Sequence, residues 1–176
     1  MVAGDILLGG IRVVRAALLV ALAALLEAAL SPLLTFGWIG PKFIVLGVVV
    51  AAMALRDLQA LLLGFFGGVL VDALGGGLFG VGALVGIFAA AASTRIGALH
   101  RKGEARAFIA QAVGVAVAAY DMLALVASVL SGSGGPPAIN YLLGGVVPDV
   151  LLNALFAYLV GGRLLKLIAT EEERWI

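Results

Sequence analysis

Four carboxylates lie inside otherwise apolar stretches of the chain: Glu27, Asp72, Asp121 and Asp149, with Asn153 one helical turn beyond the last. Facing lipid, each acid would cost about 2.5–3.5 kcal/mol or more. All four are therefore expected to face the bundle interior or the outer surface. Lys42 is the nearest cation, and one cation cannot pair with four acids. Three accommodations stand open: protonation, hydrogen bonds to backbone opened by Gly and Pro, or pairing with a cation from a partner or ligand. Polar contacts between helices, or a place at the outer interface, are the commoner roles of such acids. A ligand or partner site is the sharper one.

A second pattern is made of glycine. Gly64, Gly68 and Asp72 recur every four residues on one helix face, and Gly82 and Gly86 repeat the spacing in the next segment. Small residues at this interval let another helix approach closely. The plain consequence is packing within the bundle; the sharper one is a groove for a partner's helix. Pro148 cannot donate to the carbonyl of Gly144, which predicts a kink beside Asp149 and Asn153. The basic stretch holding Arg95, Arg101, Lys102 and Arg106 has the charge to anchor topology or to meet anionic headgroups or a partner.

Catalytic patterns are missing. No Gly-rich run is followed by Lys-Ser/Thr, and no Ser nucleophile appears with a plausible His/Asp set. The lone His100 has no second His or Cys nearby for a metal, and the absence of cysteine excludes disulfides and thiolate clusters. A net charge of +1, with basic residues scattered at the ends of apolar runs, argues against nucleic acid as a partner. No catalytic, cofactor or metal residue is assigned.

The elements that must position these residues are membrane helices. Of the 176 residues 64% are hydrophobic and 12% charged, against roughly 45–50% and about 25% in a soluble domain. Six apolar segments follow, at about 16–36, 41–55, 58–74, 79–96, 106–130 and 141–167. These runs are apolar nearly all round, which excludes a barrel of alternating strands. The expectation is one all-α polytopic domain over 1–176 with about six transmembrane helices. The second and third segments are short enough to be tilted spans or a re-entrant hairpin. Arg12, Arg15, Arg56, the 95–106 cations, Arg163, Lys166 and Arg174 all fall on one side of this arrangement. That bias predicts both termini on the cytoplasmic side. Trp38, Tyr141 and Trp175 fit interfacial aromatic belts.

The stretch Gly64-Phe65-Phe66-Gly67-Gly68-Val69-Leu70-Val71-Asp72, then Gly76, Gly80 and Ala83-Leu84, resembles the GF-x-x-G-x-x-x-D…G-x-x-x-G-x-x-AL pattern of the bacterial rod shape-determining MreD family. The ending, Val147-Pro148-Asp149 to Leu155 with Arg163-Leu164-Leu165, is similar to that family's last helix. Pro41 and Asp121 also fit, and the likeness covers nearly the whole chain. It implies a non-enzymatic scaffold of cell-wall elongation in the bacterial cytoplasmic membrane. Such a scaffold would bind the bitopic protein MreC and link to MreB, RodA and a class B penicillin-binding transpeptidase. In this reading Gly64, Gly68 and the fourth helix receive MreC's helix. The family's fold is similar to S-components of energy-coupling-factor transporters. The alternative that follows is a binder of a vitamin or cationic solute at Glu27, Asp121, Asp149 and Asn153.

Overall fold

Hydrocarbon offers the backbone no hydrogen-bond partner, so apolar segments there close their own bonds as helices. In the computed structural model, α1 is Val2–Leu34, α2 Phe43–Met53, α3 Asp57–Gly75, α4 Val81–Leu99 and α5 Ala105–Leu130. The last helix, α6, runs from Ala138–Tyr141 through a π-helical turn, Leu142–Val146, into Val147–Ile168. The structure describes residues 2–75, 79–99, 105–130, 132 and 138–168; for 2–9, 96–99 and 138 only the backbone is described.

Successive helices run antiparallel. Gly47 on α2 meets Ala23 and Val20 on α1, Gly64 and Gly68 on α3 meet Gly86 and Gly82 on α4, and Gly161 on α6 meets Ile109 on α5. The centre is α2, whose residues Ile44 to Ala52 are all buried. Its Val48-Val49-Val50 run would weaken a helix in water. Here it fills the core, with Val113 and Val117 of α5 and Ala157 of α6 in the same apolar cluster.

Among the described residues the six expected segments appear as six helices, α1 to α6. Among the described residues, four helical stretches are long and apolar enough to cross a bilayer: Gly10–Leu34, Asp57–Gly75, Ala105–Leu130 and Ile139–Ile168. The shorter α2, Phe43–Met53, and α4, whose described side chains form the apolar stretch Val81–Arg95, complete a multi-pass membrane protein. The third segment is thus long enough to span, whereas α2 is not. At about 1.5 Å per residue its 11 residues extend only roughly 16 Å. A turn precedes it. Phe36 and Ile39 exchange backbone hydrogen bonds at 2.8 and 3.1 Å around Gly37, which has a φ of 64°. The chain then turns inward through Gly40 and Pro41 to Lys42, where α2 begins.

Candidate functional site

Four helices and the 35–42 turn converge on Lys42. Asp149 is fully buried, with its Oδ1 accepting the Gly40 N–H at 2.9 Å and its Oδ2 paired with Lys42 Nζ. Asp121 on α5 takes the other side of the ammonium, Oδ1 lying 3.3 Å from Nζ. The Tyr120 ring stands 5.8 Å from the same nitrogen, within cation–π range. Asn153, one turn below Asp149, accepts the Lys42 N–H at 2.7 Å and donates from Nδ2 to the Gly40 carbonyl at 3.0 Å. That amide also donates to the Asp149 carbonyl and to Asp149 Oδ1, at 2.9 and 3.2 Å.

The first amides of a helix lack intrahelical acceptors and carry partial positive charge. At α2, whose N-cap Lys42 makes no side-chain cap bond, the acceptor comes from a neighbouring helix. Glu27 Oε2 on α1 receives the Ile44 N–H at 2.8 Å. The start of α4 is treated the same way by Asp72 on α3. Its carboxylate accepts the N–H groups of Gly80, Gly82 and Ala83 at 2.9, 2.7 and 3.2 Å. Gly80 has a φ of 109°, a conformation only glycine adopts readily, which bends the chain so that these amides converge on one carboxylate.

Lys42 does not have to serve all four acids. Lysine pairs with two of them, Asp121 and Asp149. The other two, Glu27 and Asp72, cap helix N-termini. The structure separates Asp72 from the cluster that joins Glu27, Lys42, Asp121, Asp149 and Asn153.

The glycine faces also find their partners inside the chain. A Cβ at Gly64 would collide with the Gly86 carbonyl and come within 2.8 Å of Ala90 Cβ. A Cβ at Gly68 would meet the Gly82 carbonyl and come within 2.6 Å of Ala83 Cα. Gly64, Gly68, Gly82 and Gly86 therefore form the seam between α3 and α4. Along this seam α3 and α4 fill each other's grooves.

At Pro148 the local device is a π-helical turn, with the Val147 N–H bonding back to the Leu142 carbonyl. The wider turn sits where proline supplies no donor to Gly144. Trp38 packs on Gly145 in this turn and meets Tyr141 edge-on, ring centroids 5.4 Å apart. At the far end of the bundle Arg95 and Arg106 are exposed on α4 and α5. The Arg106 stem crosses α6 at Gly162. Arg101 and Lys102 lie outside the described residues, as do His100, Gly76 and Trp175. Among the described residues no group of three or more His, Cys, Asp or Glu side chains could hold a metal.

What this arrangement does chemically is bind backbone. Every acid and amide singled out in the cluster is engaged with the chain itself, so the cluster fixes the 40–44 segment against α1, α5 and α6. The family model described as rod shape-determining protein MreD matches residues 11–168. No curated protein and no solved structure matches the chain.

Proposed function

Because the chain belongs to the rod shape-determining MreD family, we propose that it is a non-enzymatic membrane scaffold of cell-wall elongation, binding the transmembrane helix of MreC. The observation that carries this reading is the internal saturation of the polar cluster. With Asp149, Asn153, Glu27 and Lys42 engaged by the chain itself, the bundle's free surfaces are apolar helix faces. Such faces suit other helices better than solutes.

With the glycine seam closed, the receiving surface is the outer side of α3, where Leu62, Phe65 and Phe66 are exposed and the two rings meet edge-on at 5.4 Å. Large rigid side chains of this kind supply the van der Waals contact on which helix association in lipid depends. Replacing Leu62 and Phe66 together with Ala should abolish co-purification of MreC while leaving the bundle folded. Undiminished association would remove this surface from the reading.

Both termini lie on the cytoplasmic side in this proposal, supported by Arg12, Arg15, Arg56, Arg95 and Arg163, which lie toward one set of ends of the apolar spans. MreB would then meet that side, with RodA and its class B transpeptidase alongside in the membrane. A C-terminal tag should resist external protease in intact cells; digestion would reverse the orientation. A role as an S-component-like solute binder has less support, because Glu27, Asp121, Asp149 and Asn153 would first have to release their present partners.

A further inference from the structure

The geometry points to the α4–α5 cleft as a binding site for one anionic phospholipid, its acyl chain between the helices and its headgroup on Arg95. The cleft measures about 510 Å³ and is walled by Phe88, Ala89 and Ala92 of α4 and by Gln111, Val115 and Ala119 of α5. Alanines on both walls hold it open, and Phe88 and Val115, each 71% exposed, form its lips. A transmembrane helix about 10 Å across would displace roughly 1,400 Å³ along the run from Gln111 to Leu123. The cleft takes a narrower occupant, and an extended hydrocarbon chain fits that description.

Charge selects the headgroup. Arg95 stands seven residues after Phe88, which places it on the same stripe of α4 two turns further along, roughly 10 Å beyond the lip. It is exposed, at the end of the cleft where Ala92 and Gln111 lie. Gln111, the polar side chain in the lining, is within the same turn of the bundle and can bond the ester region of a lipid whose phosphate meets Arg95. Arg106 belongs to a different surface, since its stem crosses Gly162 on α6.

Native mass spectrometry of the detergent-solubilised, delipidated protein tests the site, titrating phosphatidylglycerol and phosphatidylcholine with identical chains. The wild type should retain phosphatidylglycerol preferentially. Arg95→Gln should lose about five-fold of that preference, the worth of one cation at a membrane surface, while Arg106→Gln keeps it. Ala119→Phe, or Ala92→Phe should the first fail to fold, should reduce retention of both lipids by filling the cleft. Equal retention of the two lipids by the wild type would overturn the proposal. So would an Arg95→Gln protein with undiminished preference, or a filled cleft that binds as before. Cross-linking from a cysteine placed at Ala119 should capture lipid; capture of a protein helix instead would also overturn it.

Discussion

Asn153 Oδ1 accepts the Lys42 N–H at 2.7 Å, a contact between residues 111 apart in sequence that ties the start of α2 to the middle of α6. Together with the bond from Nδ2 to the Gly40 carbonyl it clamps both sides of Pro41. Asn153→Leu keeps the volume and removes the bonds. Interhelical hydrogen bonds in bilayers average about 0.6 kcal/mol each, and stranded buried groups add to that, so the variant should lose about 2 kcal/mol. Thermal unfolding in detergent reads this; an unchanged midpoint would show that the clamp contributes nothing. Asn153→Asp should be worse, since it removes the donor to Gly40 and adds a third carboxylate to the pair formed by Asp121 and Asp149 around Lys42.

Lys42→Met preserves the stem and deletes the charge. Breaking a buried pair costs about 3–5 kcal/mol because the partner is left uncompensated, and here two carboxylates are left. Combining it with Asp149→Asn should recover part of the loss. A double-mutant cycle gives the coupling, and additive effects would mean that Lys42 and Asp149 do not interact.

Gly68→Ala should destabilise by about 1–3 kcal/mol, the usual cost of overpacking, because the new methyl would come within 2.6 Å of Ala83 Cα, a backbone atom that cannot swing away. Gly10→Ala is the matched control. Nothing lies within 4 Å of a Cβ there, and replacing a helical glycine should gain about 0.5–1 kcal/mol. Equal effects at the two positions would refute the seam.

Asp72→Ala removes the acceptor for three amides at the start of α4. Loss of a cap costs about 0.5–2 kcal/mol. The specific readout is hydrogen exchange at Gly82 and Ala83, which should quicken far more than at the α5 amides. Asp72→Asn, retaining one acceptor oxygen, should fall between.

Much of this was legible in the sequence, and the reasons are local. The apolar runs could only be helices, and the four-residue recurrence of Gly64, Gly68 and Asp72 fixes a shared face whatever else the chain does. Which surface that face meets is not local: Gly64 could have met a partner as readily as Gly86. Lys42 was harder still. Its partners lie on α5 and α6, and nothing in the Gly/Pro-rich composition of 37–41 marks a turn that carries a lysine inward. The π-helical turn was visible only as a proline, which announces a missing donor without saying how the backbone will adjust.

The burial of α2 has a consequence for the order in which the protein can be made. A rod of 11 apolar residues is too short to settle across a bilayer alone. The acceptors for the Gly40 and Lys42 amides, Asp149 and Asn153, follow them by 109 and 111 residues and leave the ribosome after α5. α5 and α6 must therefore both be made before the entry to α2 can be sealed, and α6 is the piece that locks an otherwise unfinished assembly.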